Sequence, residues 1–498
     1  MFNVSKLSSL GFGALLFLTT FGAGSLAADE QWNRVATKHF EMYTTNDVDR
    51  ATAALQVFEQ VRSFFLQSNQ AAGVPDSPVK IIAFRSETEY AQYRLNPGAF
   101  AYFLRNYKHD YIVMQDIDPE HYPAVIHEYT HLIVEHSGWK LPLWLNEGWA
   151  EVYSTLQAQG NQVVLGRVPA GRLADLRAGD PLSLQTLFAV DHKSAYYQQP
   201  DKMRLFYAQS WALCHMLMLS PAYKPKFLAF VAAVSAGKPV ADCFDAIYGK
   251  TLDQVQREFT EYLGRVPLAE ELLDVQLSSS QSQPVVSPLS SFDRDLALSD
   301  LLGASAQTAG EARRLLTQLS EEQPDNAEVE ESLGYLAWQQ GNEQEARHHF
   351  RRAFQNGSND AVMLCEYASL VEASAEADIA EGDSARSALL KALALQPNYA
   401  DARLQFGLME FRAGRYESAS ANLSLIRIVN PHQAYCYYSA LAYSNYRLGK
   451  LEDARLAATS AKDYANSPEK QQHCLSLLAR LDSSRRRPEA LSVLLPLR

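Results

Sequence analysis

Residues 127–131 read His127-Glu128-Tyr129-Thr130-His131, an H-E-x-x-H pattern. On a helix, two residues four apart stand one turn from each other on the same face. Both imidazoles can then reach one metal ion, and the glutamate beside them can act as a general base. The pattern is the signature of such a zinc site. A catalytic zinc takes three protein ligands and keeps one position open for water. A second stretch, Asn146-Glu147-Gly148-Trp149-Ala150-Glu151, reads N-E-G-x-x-E. Glu147 can supply the third ligand from a second helix, and Glu151 shares its face.

The bland alternative is a chance H-E-x-x-H on a solvated helix. Three features weigh against it. Ala124, Val125 and Ile126 precede the motif and Leu132, Ile133 and Val134 follow it, so the helix is expected to be buried. Ser137-Gly138-Trp139-Lys140-Leu141-Pro142 reads as a turn that brings a second helix back beside the first. Two glutamates on that otherwise apolar helix are costly to bury without a cation.

This constellation resembles the gluzincin metallopeptidases, the thermolysin-like superfamily. The resemblance implies an α+β zincin-like domain with a small mixed sheet and active-site helices, and a single Zn2+. It implies that His127, His131 and Glu147 ligate the metal, with Glu128 as catalytic base. Glu151 matches the carboxylate that orients a zinc-bound histidine in that superfamily. The Asn-Glu-Gly form is similar to the aminopeptidase N and leukotriene hydrolase branch. The rival metzincin pattern requires Gly at 134 and His at 137, where this chain has Val134 and Ser137. His136 is one position off and reads as a helix-end histidine. Tyr207, in Phe206-Tyr207-Ala208-Gln209-Ser210, matches the oxyanion-binding tyrosine of a Tyr-x-Lys-Gly segment. Gln209 and Ser210 depart from Lys-Gly, so a core tyrosine is the competing reading. His215, two turns further, is the alternative electrophile; as a lone histidine on an apolar face it is read as structural.

The elements that position these residues are partly legible. Residues 39–45, 79–84 and 111–114 read as strands. Residues 47–66 have helical spacing with Asp47 as N-cap, and Ser86 to Glu89 opens a short helix with a capping box. Gly98-Ala99-Phe100-Ala101-Tyr102 could be an edge strand that binds substrate backbone by strand addition; a turn is the simpler alternative. After a loop rich in Gly, Asp and Pro, residues 180–264 read as helical.

The chain has 498 residues, too many for one core. Residues 1–28 read as a signal peptide: Lys6, an apolar run over residues 10–21, and a Ser25-Leu26-Ala27 cleavage pattern. No cysteine adjoins that pattern, which argues against a lipid anchor; an uncleaved signal anchor stays open on the thin positive region. The expected location is outside the cytoplasm, periplasmic or secreted, with no stable membrane span in the mature chain. Residues 29–268 form the peptidase-like domain, 29–118 α/β and 119–268 helical. Residues 269–291, rich in Ser, Gln and Pro, read as a linker. From 292 to 482 the chain repeats with the period and small-residue pattern of tetratricopeptide repeats. Gly334, Ala346, Phe350 and Ala353 mark one unit; Gly407, Ala419, Leu423 and Pro431 mark another. Ala442, Ala454, Ala458 and Ala461 mark a third. Residues 483–498, with Arg485-Arg486-Arg487, read as a tail. The expected architecture is thus a zincin-like α+β domain followed by an all-α solenoid.

The net charge of −12 argues against nucleic acid and anionic membrane as main partners. The expected partners are a peptide or protein substrate and a protein bound by the repeats. The five cysteines show no metal or disulfide framework, although Cys214 and Cys243 could pair in an exported chain. The expected function is peptide-bond hydrolysis by a metal-activated water. The alternative is an exported repeat scaffold whose zinc domain is inactive or structural. Hydrolysis of a non-peptide carbonyl also stays open.

Overall fold

The computed structural model describes residues 31–67, 78–95, 99–105, 108–159, 162–265, 267–274, 284–375 and 377–486. The expected signal segment, Gly98 of the expected edge and most of the expected tail lie outside these residues.

Nine strands are described: β1 (Asn33–Ala36), β2 (Phe40–Thr44), β3 (Val79–Ala83), β4 (Ala101–Arg105), β5 (Asp110–Met114), β6 (Gln157–Gln159), β7 (Gln162–Leu165), β8 (Glu271–Asp274) and β9 (Val285–Pro288). The main sheet has the order β4-β5-β3-β2-β1-β9. β2, β3 and β5 run parallel, while β4, β1 and β9 pair antiparallel with their neighbours. The small mixed sheet expected from the sequence is therefore present, and β4 is its edge.

Alternation along the strands gives the sheet two apolar faces. Met42, Ile81 and Ile112 face one core, which holds helix Val48–Gln67 and helix Tyr122–His136. Tyr43, Ile82 and Val113 face the other, against Ala297, Leu298 and Leu301. Those three residues belong to helix Ser291–Gly303, the first helix of the repeat region. The sheet thus takes its second layer from the repeats.

This changes the expected boundary. The segment read as a linker contributes β8 and β9, joined to β7 and β1 respectively. The Gly-, Asp- and Pro-rich loop expected before residue 180 likewise contains β6 and β7. The capping box at Ser86 is only half formed. Ser86 accepts the Glu89 amide, but the Glu89 carboxylate takes the Arg85 amide instead.

From Ser291 onward the described chain is an all-α array of antiparallel helix pairs. The pairs are Ser291–Gly303 with Ala309–Glu322, Ala327–Gln339 with Glu343–Gln355, Ala361–Ala373 with Ile379–Leu395, Ala400–Arg412 with Tyr416–Leu423, and Pro431–Arg447 with Leu451–Asp463. Helix Pro468–Arg486 closes the array and runs past the expected boundary at 482. Close packing dictates the small residues. A Cβ on Gly334 would stand 2.4 Å from the Phe350 ring, and one on Gly407 would stand 2.6 Å from Leu423. No described helix is long and apolar enough to cross a membrane.

Candidate metal centre

Helix Tyr122–His136 carries the H-E-x-x-H motif and helix Leu143–Ser154 carries N-E-G-x-x-E. Helix Pro200–Leu219 packs across the second of these. Gly148 permits that crossing: a Cβ there would meet the Ser210 carbonyl oxygen at 2.3 Å and the Cys214 sulfur at 2.6 Å. The glycine beside Glu147 is thus a packing requirement that fixes where Glu147 stands.

His127 Nε2 and His131 Nε2 lie 3.0 Å apart. Glu147 Oε2 lies 3.3 Å from the first and 3.5 Å from the second. Ligand atoms at about 2.0–2.1 Å around a tetrahedral zinc are separated by roughly 3.3 Å. Glu147 Oε2 is buried and has no hydrogen-bond partner. A buried carboxylate oxygen facing two imidazole nitrogens at these separations fits a dication held by the three side chains. Among the described residues, no other group of His, Cys, Asp and Glu converges in this way.

Burial would raise the Glu147 carboxyl, but His131 and His127 hold it well below the usual carboxylate range. Burial would lower His131, but Glu147 and Glu128 hold it raised. Glu128 is pushed up by burial, with His127 and His131 opposing. Its Oε2 accepts the amide of Phe103 on β4 at 2.9 Å. The edge strand and the candidate base are therefore in direct contact.

Glu151 lies 3.7 Å from His127 Nδ1, longer than a hydrogen bond. Its nearer partner is Arg172, whose Nε and Nη2 donate at 2.9 and 2.6 Å. Tyr207 places its ring 6.2 Å from that of His127, and Arg172 lies over the Tyr207 ring at 5.5 Å. Burial, and then Glu147, push the Tyr207 hydroxyl far above its usual range.

Three residues of the site had no sequence signal. Arg172 opens helix Arg172–Ala178 within the expected loop. Tyr197 stacks on Tyr207 at 6.4 Å, and its hydroxyl reaches Glu147 Oε1 at 3.5 Å. Phe103 acts through its backbone, which no side-chain motif reports. His215 is structural as expected, held between the Tyr262 hydroxyl at 2.6 Å and the Gly166 carbonyl at 2.7 Å. His136 pairs with Asp110 at 2.5 Å, away from the cluster. Cys214 and Cys243 are free thiols, so the pairing left open above is not formed.

No protein-family model matches the chain, and no curated protein matches it. Among solved structures it is similar to YrrB, a tetratricopeptide-repeat protein with an unusual peptide-binding site. The identity is 17% over 36% of this chain and 90% of that one, with a TM-score of 0.31. TTC0263, a thermophilic tetratricopeptide-repeat protein of Thermus thermophilus, shares 20% identity over 39% of this chain and all of its own, with a TM-score of 0.21. PilW, a type IV pilus biogenesis factor, shares 17% over 40% of this chain and 96% of its own, with a TM-score of 0.25.

Proposed function

We propose that the protein is an exported zinc peptidase of gluzincin type, its metal held by His127, His131 and Glu147. One observation carries this reading. Three ligand atoms from two helices converge with separations of 3.0, 3.3 and 3.5 Å. A glutamate free to act as a base adjoins them.

When bound, the zinc ion would supply a Lewis acid and a water of lowered pKa. The protein's own groups do the rest. Glu128 takes the proton of the attacking water and delivers it to the leaving amine. The Phe103 amide holds one oxygen of that carboxylate, leaving the other for the water. Tyr207, whose ring lies 6.2 Å from that of His127, is the hydroxyl assigned to donate to the developing oxyanion, and Tyr197 stacks on it. Arg172 fixes Glu151 beside His127. β4 is the edge strand of the described sheet beside this helix, and an extended peptide could align along it. The test is metal analysis beside a peptide-cleavage assay. One zinc per chain and chelator-sensitive cleavage support the reading, and His131→Ala should lose both. A wild-type protein that binds no zinc refutes it.

A second reading keeps the repeats and drops the chemistry: a protein-binding scaffold with a structural zinc. The array of helix pairs supports it, since stacked hairpins present an extended surface to protein partners. The described cluster has no fourth Cys or His to close a structural zinc. Stable capture of one partner by the whole chain, with no cleavage of that partner or of a peptide library, would favour the scaffold.

A further inference from the structure

The Lys108 side chain is 4% exposed, and the residue lies just after β4. Its side chain reaches into the repeat array. Its Nζ donates to the Glu328 carbonyl at 3.1 Å and to Ser332 Oγ at 3.3 Å, and stands 3.4 Å from the Glu331 carboxylate. Glu331 is 5% exposed. Burial would lower the lysine, but Asp300, Glu331 and Glu328 hold it raised, so it stays charged.

A second tie runs alongside. Tyr111 on β5 donates to Asp300 Oδ2 at 2.9 Å, and Ser332 donates to Asp300 Oδ1 at 2.9 Å. Tyr111 is the register partner of Leu104 on β4, and Ile112 is the partner of Phe103. Phe103 is the residue whose amide grips Glu128. Backbone pairing and side-chain bonds thus form an unbroken path from Glu128 through the β4–β5 pair to helices Ser291–Gly303 and Ala327–Gln339. A buried ion pair is a poor device for stability alone, because desolvation offsets most of its Coulomb gain. It does fix one docking geometry.

We infer that the first two helix pairs of the repeat array are part of the catalytic unit, with Lys108 as a positioning residue that sets the β4–β5 pair so the Phe103 amide meets Glu128. This rests on the peptidase reading of Glu128. It makes the repeats a determinant of the edge strand and not only a separate binding module.

The experiment uses the full chain. Hydrogen exchange over residues 99–105 is compared in wild type, Lys108→Met and Tyr111→Phe, with Leu423→Ala as a control that loosens the array far from the sheet. Exchange over residues 99–105 should rise about tenfold in Lys108→Met and less in Tyr111→Phe, with none in the control. Zinc affinity should stay within about twofold while kcat/KM falls about 10-fold or more. Unchanged protection of residues 99–105 in both variants overturns the inference. If Lys108→Met does not fold, Tyr111→Phe, which removes one hydroxyl, decides by the same readout. If wild type hydrolyses nothing, the peptidase reading fails, while the exchange result still decides whether the repeats hold the edge strand.

Discussion

Arg172 holds Glu151 by two hydrogen bonds of 2.9 and 2.6 Å, while His127 Nδ1 stands 3.7 Å from the same carboxylate. The carboxylate that should orient the histidine is itself oriented by an arginine. Two-point Arg–carboxylate pairing fixes both position and plane. Outer partners of metal ligands commonly contribute 10- to 100-fold in metal affinity. Arg172→Ala should therefore weaken zinc binding by about 10-fold or more, read by chelator competition. Unchanged affinity would mean that Glu151 and Arg172 are only a structural pair.

Gly148 is the point where two helices touch. An alanine methyl there would stand 2.3 Å from the Ser210 carbonyl oxygen, so Gly148→Ala must push the helices apart. Overpacking of this kind costs about 1–3 kcal/mol. Thermal unfolding should show that loss, and zinc affinity should fall with it because Glu147 is the adjacent residue. An alanine variant with native stability and affinity would contradict the packing account.

Tyr207 and Tyr197 stack near the cluster, and their roles separate by kinetics. Removing an oxyanion donor lowers kcat by about 10²–10³-fold with little change in KM. Tyr207→Phe should behave that way. Tyr197→Phe should act more weakly, since its hydroxyl reaches Glu147 Oε1 at the long distance of 3.5 Å. If the ordering is reversed, Tyr197 is the donor.

The convergence of His127, His131 and Glu147 was legible because helical spacing sets two histidines one turn apart, and a turn returns Glu147 to them. The repeats were legible because small residues recur where helices cross, as Gly334 and Gly407 do. Other features were not. β8 and β9 are four-residue strands at the ends of a Ser- and Gln-rich segment, and β9 is defined by pairing with β1 across half of the chain, Val35 opposite Val286. Tyr197 sits in the short helix Ala195–Gln198, which has no periodicity to read. Lys108, in a polar stretch, has the composition of a solvated turn, and only the fold shows it buried.

Glu410 provides a pH test within the repeats. It is fully buried and bonded to Arg386 at 2.8 Å and Arg415 at 2.5 Å. Burial would raise its carboxyl, but these arginines lower it to about 2. The unfolded value is near 4.3. The folded value is depressed, so the stabilisation is complete above about pH 4.3 and is lost as pH falls toward 2. Glu410→Gln should cost about 1–3 kcal/mol at neutral pH. It should also flatten the decline of repeat unfolding temperature between about pH 4.3 and 2. An unaltered acid limb would show that other carboxylates set it.

The most direct measurement is digestion of a complex peptide library by the zinc-loaded full chain, wild type beside Glu128→Gln, read by mass spectrometry. The account predicts that both proteins carry one zinc and that cleavage by the variant falls about 10²-fold or more. A variant that cleaves as fast as wild type would contradict the role of Glu128. A zinc-loaded wild type that cleaves nothing would contradict the peptidase reading and move the repeat scaffold to the front.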